Sequence, residues 1–77
     1  MRAYDETVDF IAAGPSSRSV SMFRASEATR SRVAELIRRE KMEGLSADEA
    51  SELDTYQQLE HVMRLAKARA KRHLAGE

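Results

Sequence analysis

The residue types that could perform catalysis are few in this chain and do not converge. The two histidines, His61 and His73, stand 12 positions apart, which on an α-helix turns them about 120° away from each other. The segment Gln58-Leu59-Glu60-His61 has the spacing of the E-x-x-H ligand motif of di-iron bundles. Glutamine replaces the first carboxylate, however, and the motif occurs once. A solvated helix face explains this segment better than a metal site.

Other catalytic motifs are also missing from the sequence. The serines have no neighbouring histidine and no G-x-S-x-G turn, and no glycine-rich phosphate loop is present. Without cysteine, and with two histidines, the chain can form neither a disulfide framework nor a tetrahedral His/Cys zinc site. We therefore predict a protein that is not an enzyme and that uses no metal or other cofactor.

Charge is distributed unevenly, although 13 Lys and Arg residues balance 13 Asp and Glu residues. Residues 43–60 contain six acids and no base, whereas residues 61–74 contain five bases, two histidines and no acid. This order complements a helix dipole, but the dipole acts mainly over the first and last turn. The bases extend over about two and a half turns. We therefore interpret residues 61–74 as a binding surface for an acidic protein cleft or for nucleic acid.

Length and composition limit the class of protein. A chain of 77 residues forms one small domain at most. No apolar run approaches the roughly 20 residues that cross a bilayer, and the N-terminus turns acidic at once, without the apolar segment of a signal peptide. We expect a cytoplasmic protein without a membrane partner. With three glycines and one proline, the sequence predicts an all-α fold.

Capping residues divide the chain into elements. Gly14 and Pro15 end a first amphipathic segment, Ser26 is a typical N-cap, and Ser46 and Glu49 form the S-x-x-E capping box. The predicted elements are a helix over 4–13, a loop or short strand over 14–25 with the strand near 20–24, a helix over 27–43 and a long helix over 47–74.

The last predicted helix is long for so small a protein. Its 28 residues would measure about 42 Å, whereas a compact globule of this size is about 30 Å across. We expect an open, extended arrangement in which part of the apolar stripe of this helix projects or lies against another chain, in a homo- or hetero-oligomer. The predicted partner-binding residues are Tyr56, Leu59, Val62, Met63, Arg64, Ala66, Lys67, Arg69, Ala70, Arg72 and Leu74.

Two other functions are compatible with the same pattern. Arg18 and Arg24 flank the candidate strand, and a strand-helix-helix order fits a ribbon-helix-helix dimer, in which paired strands read the major groove of DNA. The chain would then be a DNA-binding transcriptional regulator, with these two arginines as nucleic-acid contacts. Alternatively, the apolar stripe is the seam of a homodimer, and the protein is a structural helical module.

Five segments of the chain carry a resemblance to a known family. They are residues 10–15 (FIAAGP), 23–28 (FRASEA), 32–37 (RVAELI), 45–56 (LSADEASELDTY) and 59–70 (LEHVMRLAKARA). Over about residues 8–72, the chain resembles a family of short bacterial antitoxin-like proteins that are encoded beside small nucleases of the PIN or HNH type. The resemblance implies a type II antitoxin, a labile helical protein that wraps a toxin nuclease and blocks it. It implies no catalytic residues.

The resemblance and the residue pattern lead to the same hypothesis about the last helix. The active site of a metal-dependent nuclease contains carboxylates that bind divalent cations. An Arg or Lys side chain can pair with those carboxylates and displace the metal. We expect the stripe from Leu59 to Leu74 to lie in a groove of the nuclease, while residues 4–37 form a second clasp or a dimeric, operator-binding part. The basic residues that would approach the nuclease site are Arg64, Lys67, Arg69 and Arg72.

Overall fold

The computed structural model describes residues 1–76 and contains four α-helices in that range. They are α1 (Asp5–Ala12), α2 (Ser17–Met22), α3 (Glu27–Met42) and α4 (Ala47–Gly76). No strand occurs among the described residues. The predicted all-α fold with a long C-terminal helix is confirmed. The helices predicted over 4–13, 27–43 and 47–74 begin and end within two residues of the observed bounds.

Side-chain caps define where three of the helices begin. Ser16 and Ser26 each accept a hydrogen bond from the backbone N–H three residues further on, at 3.1 and 3.2 Å. Ser46 and Glu49 form the reciprocal capping box: the Ser46 Oγ accepts from the Glu49 N–H at 3.1 Å, and the Glu49 carboxylate accepts from the Ser46 N–H at 3.2 Å. The first backbone N–H groups of a helix have no acceptor within the helix, and these bonds supply one.

The segment over 14–25, for which the sequence left a loop or a short strand open, contains the helix α2 instead. The Ser16 cap starts this helix, and the extended backbone of Phe23 (φ −61°, ψ 133°) ends it. An alternation of three positions is too short to distinguish a strand from one and a half helical turns. The packing of α2 against α4 favours the helix, and that contact is not visible in local sequence.

The largest buried cluster lies where the N-terminus, α3 and the first half of α4 meet. Ala3 and Leu36 are fully buried, and Leu53 and Tyr56 nearly so. Half-buried side chains complete the cluster. These are Tyr4, Val33, Ile37 and Leu45. The cluster is small, as the shortage of apolar residues in a chain of this length requires.

One face of the second half of α4 is covered by the chain itself. The molecule is elongated, with extents of 50 × 20 × 19 Å and a radius of gyration of 14.3 Å, compared with about 11.5 Å for a compact domain of this length. Helix α2 packs against α4, and Met63 and Ala70 are buried. The extended shape is confirmed, but the expectation that this half of α4 requires another molecule to cover it is wrong for these two residues.

Candidate partner-binding site

A buried carboxylate joins three segments of the chain and so positions the elements of the site. Glu52 on α4 is 6% exposed and accepts hydrogen bonds from Nε and Nη2 of Arg32, both at 2.9 Å. It also accepts the Ala3 backbone N–H at 2.7 Å. The Arg32 hydrogen bond and the Ala3 N–H lower the pKa of Glu52, against the opposing effect of burial. Glu52 is therefore held as an anion that ties the N-terminus and α3 to α4.

Two further contacts hold α1, the α2 region and α3 together. The Glu6 carboxylate accepts the Ser26 backbone N–H at 2.7 Å, which lowers the pKa of Glu6. The rings of Phe10 and Phe23 lie with their centroids 4.4 Å apart and tilted by 37°, close to the lower end of the range of favourable aromatic pairs. Both contacts attach α1 to the segment that directly follows α2. They therefore give α2 a defined position, although none of its own residues is buried.

This arrangement separates the charges into two poles. The basic pole, residues 13–26 and 61–76, contains seven Lys and Arg residues, two histidines and no acid. The acidic pole, residues 1–12 and 27–60, contains 12 acids and six bases. The bases of the basic pole are Arg18, Arg24, Arg64, Lys67, Arg69, Lys71 and Arg72. The sequence predicted the α4 part of the basic pole. Arg18 and Arg24 join this pole only because α2 packs against α4.

The ion pairs in residues 1–76 all lie in the acidic pole. Arg32 pairs with Glu52, Arg38 and Arg39 pair with Glu35, and Arg39 also contacts Glu49. No base of the basic pole forms an ion pair with a residue of this range. The positive charges of the basic pole are therefore not neutralised by their described neighbours, and they sum to a field that attracts anions.

The predicted partner-binding residues of α4 divide by exposure. Those that water reaches freely are Val62, Arg64, Arg69 and Arg72, and those that are half-buried are Leu59, Ala66, Lys67 and Leu74. Tyr56, Met63 and Ala70 are buried within the chain. The chain's own packing covers most of these three side chains, so they do not form an exposed stripe on α4. Tyr56 and Met63 line a groove, and their contact with a partner stays a prediction. Leu65, which lies off the predicted stripe, is 54% exposed instead.

The predicted nucleic-acid contacts Arg18 and Arg24 are both exposed. Arg18 lies on α2, and Arg24 follows this helix at the edge of a groove. The strand that a ribbon-helix-helix reading surface requires does not occur among residues 1–76. The two arginines are therefore part of a helical basic surface rather than of a β-ribbon.

A groove between the α2–α3 region and α4, here called the α3–α4 groove, encloses about 530 Å³. Phe23, Val33, Ile37 and Met63 form an apolar floor. Lys67 contributes to the rim and places its Nζ 5.9 Å from the Phe23 ring centroid, a cation–π distance. The basic and acidic side chains of the groove are Arg24, Arg30, Arg64, Lys67 and Glu60. Because the floor comes from three separate segments, no local sequence signal could have revealed it.

Tyr56 also lines this groove. Its side chain is 8% exposed, and burial, reinforced by the neighbouring Glu60, raises the pKa of the phenol. The phenol is a hydrogen-bond donor, and the neighbouring Glu60 carboxylate is its acceptor.

Within residues 1–76, no group of three His, Asp or Glu side chains comes close enough to hold an ion. The His61 side chain is exposed, as expected for a solvated helix face. Over the same range, no helix combines the length and the apolar character that a bilayer crossing requires.

Comparison with known proteins adds no relative to this description. No family model matches the chain, and neither the curated proteins nor the solved structures contain a match. The function must therefore be argued from the basic pole and the groove themselves.

Proposed function

We propose that the protein is a type II antitoxin-like inhibitor that binds and neutralises a partner nuclease through its basic pole. The observation that carries this proposal is the charge separation: seven bases and no acid at one pole, none of them in an ion pair within residues 1–76. The class of partner, a PIN- or HNH-type nuclease, comes only from the sequence resemblance and is part of this proposal, since no family model matches the chain.

The inhibitory chemistry follows from what a nuclease site contains. Carboxylates that bind divalent cations are concentrated there, and an arginine can pair with a carboxylate through two parallel, charge-assisted hydrogen bonds. Arg69 and Arg72 are exposed and stand three positions apart on one long helix, so they share a face of it and can enter an acidic cleft together. The expected result is exclusion of the metal and of the nucleic-acid substrate from the same site.

An apolar groove beside the bases favours a protein partner over nucleic acid alone. Binding to a phosphate backbone is dominated by charge and by polar contacts to phosphate and sugar, which leave an apolar floor without a role. Protein interfaces combine a buried apolar centre with a polar rim. The floor formed by Phe23, Val33 and Met63, next to Arg64 and Lys67, has that combination.

A DNA-binding regulator is the second candidate, and the same basic pole favours it. A surface of seven bases without an acid also suits the phosphates of an operator, which would allow the protein to repress its own operon. In that case the logarithm of the affinity should fall with the logarithm of salt concentration with a slope of about −0.9 per neutralised phosphate. A homodimer through the α4 stripe, of which Val62 is about half exposed, is the third candidate.

Co-expression with the product of the adjacent gene tests the proposal. We expect the two proteins to co-purify and the divalent-metal-dependent nuclease activity of the partner to fall in proportion to the amount of this chain added. Failure of the two to associate, together with tight and steeply salt-dependent binding of the purified chain to upstream duplex DNA, would replace the inhibitor with the regulator. A tight homodimer that binds neither the nuclease nor DNA would support the structural module.

A further inference from the structure

We propose that the α3–α4 groove binds an amphipathic helix of the partner protein, one whose apolar face is flanked by Asp and Glu. This inference rests on the proposed function, because it specifies which kind of segment the chain recognises in its partner. The basic pole attracts an acidic surface in general, whereas the groove selects a segment with a particular shape and pattern.

The floor of the groove provides the apolar part of this recognition. Val33 and Ile37 stand one turn apart on α3 and are half-buried, and Phe23 and Met63 face them from the other walls. The enclosed volume of about 530 Å³ lies within the range of sites that bury apolar ligand groups. Side chains of a partner would remove this floor from water, which is favourable at roughly 25 cal/mol per Å² of apolar surface.

The length of the groove fits about three turns of a helix. The residues of α4 that line it run from Tyr56 to Lys67, a distance of about 16 Å at 1.5 Å per residue. An amphipathic helix that binds in a groove presents anchors at positions such as i, i+4 and i+7, which span about two turns. Three apolar anchors therefore fit over the floor between these two residues.

The charges at the rim determine which charges the bound helix should have beside its apolar anchors. Four bases and one acid line the groove: Arg24, Arg30, Arg64, Lys67 and Glu60. Acidic residues on both sides of the apolar anchors would meet this rim with charge complementarity, and basic residues would be repelled. The occupant that matches both floor and rim is an acidic amphipathic helix, rather than a second copy of this chain presenting its basic α4.

A designed peptide pair tests this inference on the full chain. The probe is a fluorescein-labelled peptide of about 14 residues, with leucines at i, i+4 and i+7 and glutamates beside them, and its partner peptide has every glutamate replaced by lysine. We expect the acidic peptide to bind at least tenfold more tightly. Its addition should shift the methyl resonances of Val33 and Ile37, and leave those of Val8 and Ile11 on α1 unchanged.

A variant that fills the groove gives an independent readout. Ala34 lines the groove and is exposed, so Ala34→Trp places a bulky side chain in it without disturbing a buried contact. Ala50→Trp, at an exposed position of α4 outside the groove, is the matched control. We expect the first variant to weaken acidic-peptide binding at least tenfold, and the second to bind like the unmodified chain.

The outcomes separate this inference from the proposed function. Equal binding of the two peptides, methyl shifts outside the groove, or unchanged binding to Ala34→Trp would each overturn the groove proposal. If the chain nevertheless still inhibits the partner nuclease, the proposed function stands without the groove. If the chain forms no complex with the nuclease but binds the acidic peptide selectively in the groove, the proposed nuclease partner is rejected and the helix-binding site is supported.

Discussion

At the scale of single residues, the Glu52 carboxylate is the most constrained charge of the described chain. It is buried and accepts three hydrogen bonds, two from Arg32 and one from the Ala3 N–H. Transfer of a charged group from water into the protein interior is unfavourable unless hydrogen bonds compensate for the lost hydration. Here the compensation comes from segments far apart in sequence, so the same bonds that stabilise the charge also fix the N-terminus and α3 against α4.

We predict that Glu52→Gln lowers the free energy of unfolding by about 2 kcal/mol. The substitution preserves the shape of the side chain but removes the charge and leaves the bonds to Arg32 and Ala3 weaker or unmade. Urea unfolding followed by circular dichroism measures the change. Asp54→Asn, at an exposed position whose carboxylate accepts a bond from Gln58, is the control and should change stability by less than about 0.5 kcal/mol. Equal effects would refute the structural role of Glu52.

We also predict that stability decreases as the pH falls below 4.5. Hydrogen bonds lower the pKa of Glu6, Glu49 and Glu52 from an ordinary value of 4.5, so the unfolded chain binds more protons than the folded chain in acid. Their contribution is therefore complete above the ordinary value and is lost as the pH falls through the lower, folded-state pKa values. Denaturant midpoints measured from about pH 6 to pH 3 should fall. A constant midpoint would contradict the assignment, and Glu52→Gln should show a smaller fall.

At the scale of elements, the starts of the helices were predictable because the cause is local. The capping box at Ser46 and Glu49 and the N-cap at Ser26 pair backbone groups within four residues of themselves, and a local pattern reveals a local bond. Helix α2 was missed because its stability comes from packing against α4. The burial of Met63 and Ala70 was missed for the same reason.

The turn between α3 and α4 depends on a glycine. Gly44 has φ +85°, a left-handed conformation that is unfavourable for a residue with a Cβ atom. We predict that Gly44→Ala destabilises the chain by about 1 kcal/mol. Gly76→Ala, inside the last turn of α4 and without a positive φ, should change stability little in thermal unfolding. If the two alanine variants melt at the same temperature, the turn does not require the glycine.

The position of α2 depends on the contact between Phe10 and Phe23. We predict that Phe23→Ala loosens the second half of α4, so that amide exchange over residues 61–74 becomes about tenfold faster, equivalent to about 1.4 kcal/mol of local stability. Exchange over residues 47–60 should change less, because the core cluster covers that half. Met22→Ala, at the last residue of α2 and 71% exposed, is the control. Uniform acceleration along α4 would show that the helix does not have two separately stabilised halves.

At the scale of the whole molecule, the chain is a dipolar rod with an acidic pole that holds its core and its ion pairs, and a basic pole that holds neither. The sequence predicted the gradient along α4 because acids and bases are segregated along one helix. It did not predict the complete basic pole or the α3–α4 groove, because both require α2 to fold back along α4. We therefore propose that function at this scale depends on a tertiary contact, and that the partner surface consists of exposed bases and a groove rather than the whole stripe.

The most direct test of the central claim is the affinity of the partner nuclease for two charge-reversed variants. Arg69→Glu changes an exposed base of the basic pole, and Lys41→Glu changes an exposed base of the acidic pole, so net charge changes equally in both. We predict that Arg69→Glu weakens the complex at least tenfold, in line with the loss of a charge pair at an interface, while Lys41→Glu stays within about twofold. Equal affinities for the two variants, both folded by circular dichroism, would contradict the claim that the basic pole is the site of binding.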